Sequence, residues 1–241
     1  MCGRSSLFAA PSTIEERFEV SISADFQPSY NIAPEDEIPV IRDELSGHVK
    51  LCSWGFVPHW ADDPGEWNGL INARTETVDE KPAFRDAFTR NGQADAERPT
   101  GGHCLVLADG FYEWQERTDG KQPFRVERVD GEPFAMAGLW SRWSDGDHST
   151  TTVTVLTTTP NALMEPLHHR MPVVFDADEE RTWLSESPQS KAELLDPHSG
   201  DDFERYPISA AVNDPRNDSP GIIEPVDAPE SDPQTGLDQF G

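Results

Sequence analysis

The sequence predicts an α+β fold built on a mainly antiparallel β-sheet with short flanking helices, and three observations lead there. Strand-like and helix-like segments follow one another without the regular alternation of a βαβ protein. The stretch TTVTVLTTT, residues 151–159, is dominated by β-branched side chains and is the clearest strand in the chain. HCLVLADGFYEWQER (103–117) and PFRVERV (123–129) pair as a hairpin across the turn TDGKQ.

The remaining elements follow in order. PSTIEERFEV (11–20) predicts a short helix, with Pro and Ser at its start. EIPVIRD (37–43) and HVKLCSWGFV (48–57) predict strands separated by a turn at ELSG. KPAFRDAFTR (81–90) predicts a helix that puts Phe84 and Phe88 on one face. NGQADAERPTGG (91–102) predicts a loop, and PFAMAGLW (133–140) continues the β pattern. DEERTWLSE (178–186) and SKAELLD (190–196) predict short helices. From Asn213 onward Pro, Asp and Glu dominate and bulky apolar residues are few, so residues 213–241 are expected to form an acidic, disordered tail. No internal repeat interrupts this order.

Composition narrows the function class. The chain has 241 residues, 35% of them hydrophobic, with seven Trp and twelve Phe, enough for one substantial core. No apolar run approaches the ~20 residues that span a bilayer, so no membrane partner is expected. The N-terminus lacks a basic region followed by an apolar run, so a cytoplasmic location is expected. Cys2, Cys52 and Cys104 are isolated, which argues against a disulfide scaffold or a zinc cluster; no metal site is expected. Acidic residues number 45 against 19 basic, a net charge of −26, and only four of the basic residues are Lys. Acid spread along the chain with Lys nearly absent points to a halophilic source. Taken alone, this charge argues against a polyanionic ligand.

Four short stretches can carry chemistry. The chain opens MCGRSS, and removal of Met1 would leave Cys2 with an α-amine of pKa ~7.7–8.0 beside a thiol of pKa ~8.5. Such a 1,2-aminothiol can attack an amide carbonyl through sulfur, or condense with an aldehyde to a five-membered thiazolidine. Position 2 does not choose between these, and a small buried residue near a terminus is an equal reading. In LINARTETV (70–78), Asn72 and Arg74 share a face if the segment is a strand. Asn72 could orient an amine or a carbonyl and Arg74 suits phosphate, although a turn Asn and a solvated Arg are the plainer reading. In ADGFYEWQE, Glu113 lies between Tyr112 and Trp114, where aromatic surroundings would raise its pKa toward that of a general acid/base. An outward-pointing strand carboxylate is the competing reading. In PLHHRMPVV, only one of His168 and His169 can face a pocket from an extended segment, and Arg170 shares the face of His168.

Taken together the stretches are specific. MCGR, YNIAP (30–34), WGFVPHW (54–60), INARTET (71–77), GFYEW (110–114) and HHRMP (168–172) occur in this order. The chain thereby resembles the SRAP (SOS-response-associated peptidase) family across residues 1 to about 175, with the domain expected to run to about 212. The resemblance implies a barrel-like core and a monomer that recognises abasic sites in single-stranded DNA during the DNA damage response. It implies a covalent cross-link through Cys2 after Met1 is removed, a step attributed in some members to the domain's own peptidase activity. Lyase activity is left open, and no cofactor is implied.

Carried over by motif, Cys2 is the nucleophile and Asn72 positions its amine. Glu113 is the acid/base and His168 helps to open the sugar ring. Arg4, Arg74 and Arg170 grip phosphates. Trp54 and Trp67 stack on bases, while Asn31, Pro34 and Thr157 line the channel. Cross-linked protein would be nucleoid-associated. The competing reading is an N-terminal-nucleophile amidohydrolase of the glutamine amidotransferase type, which also begins Cys-Gly after Met1 but has no use for GFYEW or HHRMP.

Overall fold

A computed structural model describes residues 2–67, 69–89, 100–118, 120–185 and 191–227. The chain starts with β1 (Ser5–Leu7), which leads into α1 (Pro11–Phe18). Ala10 takes the N-cap position of α1 and Pro11 its first turn, where a missing N–H costs nothing. β2 (Ser29–Ile32), β3 (Glu37–Arg42) and β4 (Val49–Trp54) follow, and then the three-residue β5 (Asn72–Arg74). In α2 (Pro82–Thr89), Phe84, Ala87 and Phe88 are buried on one face, as their spacing predicts. β6 (Gly101–Ala108) and β7 (Gly110–Arg117) come next. They are followed by β8 (Gly120–Arg128), β9 (Phe134–Ser144) and β10 (Ser149–Thr158). Two short strands, β11 (Met171–Pro172) and β12 (Val174–Phe175), precede α3 (Ala177–Ser185), and β13 (Phe203–Pro207) is the last strand among the described residues.

The fold is α+β with mainly antiparallel sheets. β10, β4, β3, β6 and β9 pair in that order, and β9 pairs back onto β10, closing a five-stranded barrel. Closure removes the exposed strand edges that a small open sheet would present. Every residue of β6 is buried, because α2 and α3 pack on its outer side while the barrel core fills the inner one. That double burial explains the unbroken apolar run there.

A second sheet, ordered β13-β8-β7-β1-β2, leans on the barrel. The chain crosses between the two at Asp109, the single residue between β6 and β7. The Asp109 carboxylate accepts Ser6 Oγ at 2.6 Å, Phe8 N at 2.5 Å and Ala9 N at 3.1 Å. The fully buried Arg125 donates to Ser6 Oγ (2.7 Å), Tyr112 Oη (3.1 Å) and the Asp109 carbonyl (3.0 Å). Gly110 has no side chain because a Cβ there would overlap the Arg125 guanidinium.

One expectation is overturned. Residues 213–227 are packed against the second sheet rather than disordered. Ile222 is buried in a small cluster with Tyr112, Ile208 and Val212, and Pro225 bridges Ile208. Tyr30 N donates to Asp218 Oδ1 at 2.5 Å. A few well-placed apolar residues and polar bonds to the segment's backbone suffice to order it, which bulk composition does not reveal. Residues 228–241, the predicted loop at 91–99 and the start of the SKAELLD segment lie outside the described residues. Among the described residues, no helix is long and apolar enough to cross a membrane.

Candidate active site

Four segments deliver the site. β1 runs antiparallel to β7, with Ser5 opposite Phe111 and Tyr112 N donating to the Arg4 carbonyl at 3.0 Å. Extending that register toward the N-terminus sets Gly3 opposite Glu113 and Cys2 opposite Trp114, and the Glu113 carboxylate lies close enough to act on the Cys2 thiol. β5 pairs in parallel with β10, setting Asn72 opposite Val155. β11 pairs with the last residues of β10, which holds the preceding turn with His168 at the same end of the barrel.

Cys2 is fully buried, Glu113 is 4% exposed, and Asn72 and His168 are half-buried. Asn72 Nδ2 donates to the Cys2 carbonyl at 2.8 Å. Asn72 Oδ1 is also buried, and among the described residues it accepts no hydrogen bond. Glu113 Oε1 accepts from Trp114 N at 3.3 Å. Burial, and next the Glu113 carboxylate, push the Cys2 thiol up to about 12. His168 Nδ1 accepts from Arg170 N at 3.0 Å, although the Arg170 carbonyl also lies 3.2 Å away. Burial holds the His168 pKa below its ordinary value, and Glu113 opposes that shift. His169 is exposed, its ring 4.2 Å from that of His168.

A model of the SRAP family, described as SOS response associated peptidase, matches residues 1–215. The chain belongs to the SRAP family. Abasic site processing protein YoqW of Bacillus subtilis is 37% identical over 93% of this chain and 99% of the relative. Abasic site processing protein YedK of Escherichia coli is 31% identical over 94% and 100%. Abasic site processing protein HMCES of Gallus gallus is 31% identical over 84% and 67%. Among solved structures, a protein from Bacteroides thetaiotaomicron superposes with a TM-score of 0.81 at 26% identity, covering 93% of this chain and all of the other.

Within this SRAP domain the four residues assigned to catalysis come together, but the assigned DNA contacts divide. Trp54 is fully buried and its Nε1 donates to the Ile71 carbonyl at 3.0 Å, so it belongs to the core and offers no face to a base. Asn31 is buried too: Oδ1 accepts from Arg4 Nη1 (2.8 Å), and Nδ2 donates to the carbonyls of Asp214 (3.1 Å) and Asn217 (2.8 Å). It clamps the C-terminal segment instead of lining a channel. Arg4 Nη1 also donates to the Val212 carbonyl at 2.9 Å, so in this state its fork is turned to that segment.

Arg170 is buried in a bidentate pair with Glu76 and bonds the Thr157 carbonyl. Thr157 is buried, its Oγ1 3.4 Å from the Ala73 carbonyl, and Pro34 is half-buried. Arg74 is exposed and, among the described residues, meets no hydrogen-bond or ion-pair partner. Trp67 stands edge-on to Trp60 at 5.1 Å, and Trp60 is the exposed member at 43%. Sequence reasoning assigned no role to Trp60, although WGFVPHW ends on it. It also missed Glu76, whose pairing with Arg170 spans 94 positions and leaves no local signal.

Proposed function

We propose that this protein processes abasic sites in single-stranded DNA by capturing the sugar aldehyde on Cys2 once Met1 has been removed. The observation that carries the reading is the Asn72 amide bonded to the Cys2 carbonyl with its own buried Oδ1 open to a donor. A freed Cys2 α-amine is such a donor, and an amine held through an N–H···O bond keeps its lone pair for attack. The names of the relatives, abasic site processing proteins, support the same substrate.

The thiol environment orders the steps. With Met1 in place, burial and the Glu113 carboxylate push the Cys2 thiol up to about 12; both features persist once Met1 leaves and favour the protonated thiol, so the amine attacks C1′ of the open sugar first. His168 assists ring opening by proton transfer. Glu113 takes a proton from the Cys2 α-ammonium as the amine is freed to attack and returns it to the carbinolamine hydroxyl, which leaves as water and gives the iminium. The iminium charge then favours thiolate formation beside it. Glu113 takes the thiol proton, and sulfur adds to the same carbon to close the thiazolidine, with one water released in all.

The amidohydrolase reading fares worse on the same observation. A thiol that must attack an amide needs a lowered pKa, and here both burial and Glu113 raise it.

The test is incubation with a single-stranded oligonucleotide carrying one abasic site, followed by a denaturing gel and intact-mass measurement. A covalent band is expected with wild type and not with Cys2→Ala, together with loss of Met1 from the protein. Glu113→Gln should slow capture by about 10²-fold or more, as removal of a general acid/base does. Wild type that leaves the oligonucleotide unshifted sinks the reading.

A further inference from the structure

We propose that Glu76 is a specificity-determining residue for strand binding: it occupies the guanidinium fork of Arg170 until a backbone phosphate displaces it. This rests on the abasic-strand reading above.

The two partners are held very differently. Arg170 is anchored: its side chain is 8% exposed, its Nη2 bonds the Thr157 carbonyl, and its backbone N–H bonds His168 Nδ1. Glu76 stands on the short turn Thr75–Thr77 with its side chain 49% exposed. Apart from Arg170, its carboxylate accepts from Thr75 Oγ1 at 3.4 Å and from its own backbone N–H, both local contacts on an exposed turn. Arg170 presents Nη1 and Nη2 to the two carboxylate oxygens, which is the bidentate arrangement that phosphate also adopts. Rotation of Glu76 into solvent would therefore open a fixed, preformed phosphate fork. That fork lies next to His168 in sequence, and Arg74 stands two residues before Glu76.

The consequence is selectivity. Exchange of carboxylate for phosphate costs the same for any strand, so it weakens reversible binding of intact and abasic DNA alike. Only the abasic strand recovers that cost, through the covalent bond to Cys2. On a chain of charge −26, the pairing leaves Arg74 as the arginine of the assigned set that is exposed and unpaired among the described residues.

The test compares wild type, Glu76→Gln and Glu76→Ala by fluorescence anisotropy with a labelled intact single-stranded oligonucleotide across a salt series. Thermal melts run alongside, and the abasic cross-linking gel is repeated for wild type. Both variants are expected to bind the intact strand more tightly, on the order of fivefold, as removal of one half-exposed competing charge allows. The slope of log affinity against log salt should change by less than about 0.7, the contribution of one single-strand phosphate contact, because wild type makes the same contact once Glu76 is displaced. Unchanged or weaker binding by variants that melt like wild type overturns the proposal, and so does loss of the cooperative melt in both. Failure of wild type to cross-link abasic DNA strikes instead at the parent reading and leaves the intact-strand comparison valid.

Discussion

At the scale of single residues, burial decides which titratable groups keep their ordinary chemistry. His103 is fully buried, 3.1 Å from Lys191 Nζ, and burial followed by the Lys191 charge holds its pKa well below the usual imidazole range. Asp43 lies 3.9 Å from the same ring, yet a neutral imidazole forms no ion pair with it. The sign of the linkage follows. Below about pH 6.5 the unfolded state takes up a proton that the folded state refuses, so this group lowers stability as pH falls. Denaturant midpoints measured from pH 7 to 5 should therefore drop less for His103→Asn than for wild type; parallel curves would contradict it. Cys2, Asn72, Glu113 and His168 were legible in the sequence because each sits in a distinctive short motif. Trp54 was not, since a tryptophan in such a motif reads the same whether its face meets a base or the barrel core.

At the scale of elements, the C-terminal segment is the main addition. Its acidic, Pro-rich composition reads as disorder, yet Asn31, Arg4 and Trp114 all donate to it, Arg4 Nη2 to the Asn213 carbonyl at 3.5 Å and Trp114 Nε1 to Asn213 Oδ1 at 2.8 Å. The segment thus backs the strand that carries Cys2. Ile222 is its apolar anchor, 4% exposed, and Ile222→Ala should cost about 2–5 kcal/mol. A thermal or denaturant midpoint close to wild type would show that the segment is not part of the cooperative fold. The strands were predictable from β-branched runs and the helices from apolar spacing. The end of the domain was not, because one buried isoleucine, its partly buried neighbour Ile223 and a set of backbone bonds do not change a composition.

At the scale of the whole molecule, net charge acts on every part of the fold at once. A formal −26 on 241 residues produces repulsion that opposes compaction and that salt screens. The melting midpoint should rise as KCl is added from low ionic strength to about 1 M, where the screening length is about 3 Å. A flat or falling curve would mean that local ion pairs, not net repulsion, govern stability. By itself the sequence determined the fold class, the order of the three helices and the longer strands, and the four residues brought together at Cys2, but not the short strands β1, β2, β11, β12 and β13. Those properties rest on local periodicity and on short motifs, which one chain displays in full. Tertiary structure alone decided the barrel closure through β9 and β10, the packing of residues 213–227, and the engagement of Arg4 and Arg170 by partners far along the chain. Each of these depends on which distant groups meet. Glu76 reads in the sequence as one acid among 45, and only the fold turns it toward Arg170.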